Sequence, residues 1–294
     1  MNTTHISLAP IVDSLVHDEN LIIPATELGF VWSPGDHLAT FVTAESFLAD
    51  ALSRPNVKAV IVDASVDISN VDNPLGTRIV PVRNAKYNFF RLHNAQREFV
   101  QMEPSRIDPS ATIHPTALID PVGVTIGANT VVEAYVTVEP GTCIGDNCII
   151  RAGSRLGTNA MDIREDPDGN PYMTDHLGRV VIHDHVEIGY ASVVDRAIWR
   201  HTDTVVGAHT KTSCHVNISH GVHVGKRNKL AAGVKICGST FVGDDNWFGP
   251  GSIVSNLITV GSRNYVALGA TVLTSIEDEA KVVGNRIFRD RKLF

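Results

Sequence analysis

From Ile182 to Val272 an apolar residue recurs at nearly every sixth position. Fourteen of sixteen positions obey the rule, and Arg200 and Thr212 break it; a chain that is 43% hydrophobic would fill about 7 by chance. A helix repeats its apolar face near every 3.6 residues and cannot make this pattern. A fixed six-residue period predicts a solenoid of the parallel β-helix type. Gly189, Gly207, Gly225, Gly243 and Gly261 add a longer period of 18. Three flat faces per coil follow, with residue i stacked on i+18 about 4.8 Å away. The predicted interior columns are Ile188–Val206–Val224–Val242–Val260 and Ile218–Ile236–Val254–Val272.

The same period runs earlier, through Ile107, Ile113 and Ile119, then Ile126, Val132, Val138, Ile144, Ile150 and Leu156, with one residue slipped in after Ile119. Residues 157–181 interrupt it with an acidic, turn-rich stretch, expected to be a functional excursion such as a substrate-covering loop. Residues 1–103 have another texture. Ala44–Leu52 and Asn84–Phe99 read as helices, and Val57–Asp63 and Ile79–Val82 as strands. The expected organisation is a small α/β domain over 1–103, a β-helix over 104–276 and a basic tail over 277–294.

Net charge is −7, which gives a nucleic-acid role no support. No apolar run is long enough to span a membrane, and the first residues, MNTTHISLAP, lack a signal-peptide pattern. A cytoplasmic location is expected. Cys143, Cys148, Cys214 and Cys237 form no C-x-x-C motif and read as small thiols in a reducing compartment.

Several stretches resemble the UDP-3-O-acylglucosamine N-acyltransferase family of lipid A biosynthesis, within the hexapeptide-repeat acyltransferases. They are LGRVVIHDHVEIGYASVVDR (177–196), NISHGVHVGKRNKLAAGVKICGS (217–239), GDHLATFVTAESFLADALSRPNVKAVIV (35–62) and IDPSATIHPTALIDP (107–121). The resemblance implies a mainly β protein: a left-handed parallel β-helix with a small N-terminal α/β domain that binds a nucleotide. It also implies a homotrimer with active sites between subunits. The implied reaction moves an acyl group from a carrier thioester, acyl carrier protein or CoA, to the amine of a nucleotide-linked sugar, with no bound cofactor.

Acyl transfer to an amine needs a proton acceptor, oxyanion donors and alignment. Of 13 histidines, the resemblance selects His220 through SHGV as general base; without it, a solvated surface histidine would be the plain reading. Repeat arithmetic stacks His220 on Thr202 below and Gly238 above, and Gly238 is the candidate oxyanion donor. Asp195 and Asp203 are alternative partners for the imidazole. Phe41 and Phe47 match the aromatic pair that flanks uracil in the family; packing in the small domain's core is the other reading.

The likeness has departures. Leu257 stands where the family has a second functional histidine, and Ala44 where it has a uracil-reading asparagine. The 157–176 stretch replaces a glycine- and phenylalanine-rich turn. The ending VVGNRIFRDRKLF is similar to that of CoA-dependent sugar acetyltransferases, and Lys281, Arg286, Arg289, Arg291 and Lys292 make it basic. A CoA-dependent N-acyltransferase for another nucleotide-activated amino sugar is therefore the alternative. A zinc enzyme, suggested by His215 and His220 five residues apart, lacks a third ligand at the expected distance. A non-catalytic solenoid is the third reading.

Overall fold

The computed structural model describes residues 5–15, 21–99 and 102–288. The chain forms two compact units. The larger holds residues 101–160, 178–198 and 202 onward; the smaller holds the first 100 residues together with 161–177 and 199–201.

The larger unit is a parallel β-helix. Its strands are mostly two residues long, one facing out and one in, and they stack into three parallel sheets. Face 1 runs from Arg106–Ile107 to Thr259–Val260, face 2 from Thr112–Ile113 to Lys281–Val283, and face 3 from Leu118–Ile119 to Thr271–Val272. The inward residues are the hexad aliphatics, and they bury one continuous core along the axis. Face 2 closes with an antiparallel strand, Arg286–Phe288, so Lys281 and Arg286 belong to the sheet rather than to a separate tail. Arg289, Arg291 and Lys292 lie outside the described residues.

Two details of the predicted stacking differ. Val206, Val224, Val242 and Val260 do form one column, but Ile188 is not in it; Ile188 pairs with Ile150 on face 2. The cause is the coil that carries Asp195. Val194 pairs with Ile218, 24 residues on rather than 18, because six residues, 196–201, bulge out of the corner. Arg200 falls in this bulge, which explains its breach of the hexad rule. Gly189 likewise lies on face 2, whereas Gly207, Gly225, Gly243 and Gly261 stack after face 1. The long excursion has the same effect on a larger scale. Ile182 pairs with Ile144, so that coil takes 38 residues.

Polar ladders reinforce the stack. At the corner between faces 1 and 2 the buried Asn228, Asn246 and Asn264 lie one above another. Asn228 Oδ1 accepts the Asn246 N–H at 2.9 Å, and Asn246 Oδ1 accepts the Asn264 N–H at 2.8 Å. The adjacent exposed column, His185–His209–Arg227–Asp245–Arg263–Glu279, sits at φ between 56° and 63°. Here the imidazoles of His185 and His209 stack at 4.6 Å, and Arg227 pairs with Asp245 at 2.7 Å.

The smaller unit is built on four parallel strands in chain order: β1 (Glu27–Leu28), β2 (Leu38–Val42), β3 (Val57–Asp63) and β4 (Arg78–Val82). Strand β3 is buried on both faces, which explains its nearly unbroken apolar run. Helix α1 (Glu45–Ser53) packs Leu48, Ala51 and Leu52 against Leu38, Val42, Val60 and Val62. Helix α2 (Ala85–Ala95) brings Phe89 and Phe90 to the other face. The 161–177 excursion adds an antiparallel hairpin, β5 (Ile163–Glu165) with β6 (Pro171–Met173).

Candidate functional site

Two places hold chemistry-bearing side chains, one in each unit. In the β-helix, His220 lies at the corner between faces 3 and 1. Asn217 and Ile218 pair with Lys235 and Ile236, and the Ser239 N–H donates to the His220 carbonyl at 2.8 Å. Gly238 therefore stands one rung above His220, as the 18-residue spacing predicts. The imidazole folds over it: a Cβ on Gly238 would lie 2.5 Å from His220 Nε2 and 3.0 Å from Nδ1. Only glycine lets the ring rest there. The Gly238 carbonyl accepts the Leu257 N–H at 3.1 Å, but among the described residues no acceptor pairs with the buried Gly238 N–H. The amides at the same phase of other corners, Ala232 and Asn256 among them, have no acceptor among the described residues either, so the corner geometry leaves this N–H open to a ligand oxygen.

Below His220 the coil is irregular: the 18-residue register that pairs Val205 with His223 resumes after the bulge, and the register before it sets Asp195 opposite Ser219, the residue before His220. Asp195 is 6% exposed; its Oδ1 accepts the Thr158 hydroxyl at 2.8 Å. Burial raises its pKa, against the lowering effect of hydrogen bonds from Thr158 and Asn217. Asp203 is held differently, in a bidentate pair with Arg179 at 2.8 and 2.9 Å. It also faces His223, whose pKa burial lowers more than the Asp203 backbone and charge raise it. Sequence reasoning missed Thr158 and Asn217, because the contact that joins them crosses an irregular coil.

His215 occupies the corner between faces 2 and 3, away from the His220 corner, with φ 57°. Among the described residues no three His, Cys, Asp or Glu side chains are grouped to hold a metal ion.

In the small unit the aromatic pair is not placed symmetrically. Phe41 points toward α2 and packs against Phe89 at 4.9 Å, Phe90 at 6.0 Å and Phe30 at 6.3 Å. Phe47 lies on α1 and is 63% exposed. The Phe41 ring is thus engaged in packing, and Phe47 is the one open to a ligand. A cleft of about 540 Å³ opens instead at the carboxyl ends of β2 and β3, between the start of α2 and the β5–β6 hairpin. Thr43, Asp63, Lys86 and Tyr87 line one side and Ile163 and Glu165 the other. No sequence motif announced it.

Comparison with known proteins agrees with the fold and the repeat. Residues 123–158 match the family described as bacterial transferase hexapeptide (six repeats). The chain is 29% identical over 292 residues to a UDP-3-O-acylglucosamine N-acyltransferase of Bordetella pertussis, covering 87% of this chain and 79% of that protein. It is 38% identical over 96 residues to the enzyme of that name from Agrobacterium fabrum, an alignment spanning 33% of this chain and only 26% of the relative. A solved UDP-N-acetylglucosamine acyltransferase from Campylobacter jejuni superposes with a TM-score of 0.51 at 20% identity, over 62% of this chain and 73% of that one, a likeness of fold. The hexapeptide coil, its corner histidine and the long alignment to the Bordetella protein agree on what this chain is similar to: the hexapeptide-repeat transferases and, among them, the UDP-3-O-acylglucosamine N-acyltransferases.

Proposed function

We propose that this protein is an N-acyltransferase that moves an acyl group from a carrier thioester to the amine of a nucleotide-linked amino sugar. One observation carries the reading: the imidazole of His220 rests over Gly238, whose N–H has no acceptor among the described residues. A base and an oxyanion donor thus stand one rung apart, the spacing that a carbonyl under attack requires.

The chemistry follows. The sugar amine attacks the thioester carbon, forming a C–N bond, and His220 takes the amine proton. The carbonyl oxygen becomes an oxyanion, which the Gly238 N–H stabilises. Collapse breaks the C–S bond, and the imidazolium returns its proton to the departing thiolate. An amide and a free thiol result. Asp195 is the carboxylate proposed to orient this corner, since it lies opposite Ser219 while Asp203 is committed to Arg179. Phe47 is proposed to contact the substrate.

The donor is acyl carrier protein or CoA. Leu257, in place of the family's second histidine, favours a donor or sugar different from that of the lipid A enzyme. A homotrimer acting in the cytoplasm is part of the proposal; no described helix is long and apolar enough to cross a membrane.

The test is thioester consumption with UDP- and dTDP-linked amino sugars. His220→Ala is expected to lower turnover by roughly 10²–10⁴ with the fold intact. Wild-type turnover in that variant would remove His220 from the mechanism.

A further inference from the structure

The corner that carries His220 departs from a rule that its neighbours keep. At a regular corner the residue with positive φ donates its N–H to a carbonyl one rung below, nineteen residues earlier in the chain. Arg227 donates to Ala208 and Gly233 to Cys214, both at 3.0 Å; Ser239 donates to His220 at 2.8 Å and Leu257 to Gly238 at 3.1 Å. Gly221, directly after His220, has φ +65° and holds the same place in its own coil. The carbonyl nineteen residues before it is that of Thr202, which accepts the Arg179 N–H at 3.2 Å instead. The Gly221 N–H turns to a side chain: Thr204 Oγ1 accepts it at 2.8 Å.

The departure has a physical cause. The bulge over 196–201 ends immediately before Thr202. Beyond it the chain is drawn toward the coil below. Arg179 gives its N–H to the Thr202 carbonyl and grips the Asp203 carboxylate with two bonds, at 2.8 and 2.9 Å. The regular acceptor is thus directed away from Gly221, whose half-buried N–H would be costly to leave unpaired. Thr204 supplies the replacement. Its side chain is fully buried, in a column where Val180 below and Val222 above are apolar. Valine has nearly the shape of threonine, so packing alone does not call for a hydroxyl there. A buried hydroxyl persists where it is hydrogen-bonded, and this one holds Gly221.

The consequence falls on His220. Its carbonyl and the Gly221 N–H belong to one planar peptide unit and point in opposite directions. The carbonyl accepts the Ser239 N–H from the rung above, and the N–H is held by Thr204 from the strand below. Both ends of the plane are therefore fixed. With the lower bond removed, the plane is free to rock, and the His220 Cα, which sets the seat of the imidazole over Gly238, moves with it.

We infer that Thr204 is the positioning residue of His220: its hydroxyl oxygen replaces the backbone acceptor lost beside the bulge and fixes the peptide plane from which the imidazole projects. The inference rests on the proposed reaction for what that position does, and on the hydrogen bonds alone for its geometry.

The test compares Thr204→Val with Thr204→Ser in the full chain. Thr204→Val is expected to fold, because valine stands one rung above and one rung below it. In acyl-transfer kinetics it should lower kcat about tenfold or more and leave KM within about twofold. Thr204→Ser keeps the acceptor and should recover most of the loss. Exchange of the Gly221 amide, followed by mass spectrometry, should be about tenfold or more faster in the valine variant than in the wild type or the serine variant. The rate at which diethyl pyrocarbonate modifies His220, read by peptide mapping, should change with valine and return with serine. Should the valine variant not fold, Thr204→Cys, whose sulfur accepts weakly, takes its place in the comparison. A kcat within about twofold of wild type in the variant that lacks the acceptor, or an equal loss with serine, overturns the inference. Should the wild type transfer no acyl group, the proposed reaction falls and the two rates decide the positioning role by themselves. Rates that shift with valine and return with serine support it, and unchanged rates overturn it.

Discussion

Placing a methyl group on Gly238 tests the catalytic corner directly. Residue 238 is not among the positive-φ positions, so its backbone accepts alanine without strain. The obstacle is the His220 ring, which a new Cβ would approach to 2.5 Å at Nε2. Ordinary carbon contacts need about 3.5–4.0 Å, so the imidazole must retreat by roughly 1 Å. Misplacement on that scale costs about 10²-fold in rate, or about 2.7 kcal/mol of barrier. Because His220 is only half-buried, the ring can swing outward, and the stability cost should stay near the low end of the roughly 1–3 kcal/mol typical of overpacking. Gly251→Ala is the matched control. Gly251 has φ +67° and nothing within 4 Å of a new Cβ, so alanine there should cost about 1–2 kcal/mol of stability through backbone strain and leave turnover near wild type. Thioester consumption and thermal unfolding of both variants read the outcome. Turnover in Gly238→Ala within a few-fold of wild type would refute the argument that His220 acts from its seat over residue 238.

Further outcomes concern the scaffold and its titration. Asn246→Ala removes the acceptor of the Asn264 N–H and leaves that donor buried; a loss of about 2–4 kcal/mol is expected by denaturant unfolding. Burial lowers the pKa of His93 from the usual 6.5 of an imidazole to about 4. The folded state thus binds fewer protons than the unfolded one. His93 therefore contributes no penalty above pH 6.5, and stability falls as pH drops from 6.5 toward 4, by up to about 3 kcal/mol. Unfolding midpoints at pH 7.5 and pH 5 should show the loss, and His93→Gln should reduce it. Thr158→Val removes the hydroxyl that donates to Asp195 and should cost about 1–3 kcal/mol; an effect on turnover as well would tie Asp195 to the His220 corner.

Much of the scaffold was legible because a β-helix is nearly one-dimensional. Each coil meets only its neighbours, so an apolar period along the chain maps onto an interior column. The column Ile218–Ile236–Val254–Val272 and the rung from His220 to Gly238 follow from counting. Counting fails where coils change length. Ile188 was misplaced because the coil grows at residues 196–201, and nothing in their composition says by how many residues. The strands and helices of the small unit were readable from their periodicity, but the cleft was not, since Asp63, Lys86 and Glu165 are distant along the chain.

Spacing alone dictated the coil, the faces of the aliphatic residues from Val206 to Val272 and the glycine above His220, because local repetition leaves a short-period chain few other ways to bury its apolar groups. Which acids were already engaged, and where the excursion came to rest, depended on long-range packing. Asp203 belongs to Arg179 through strands 24 residues apart, and the hairpin settles on α2 through Arg164, Tyr172 and Asp175. Contacts of that kind bear no periodic trace along the chain; they exist only once remote segments meet.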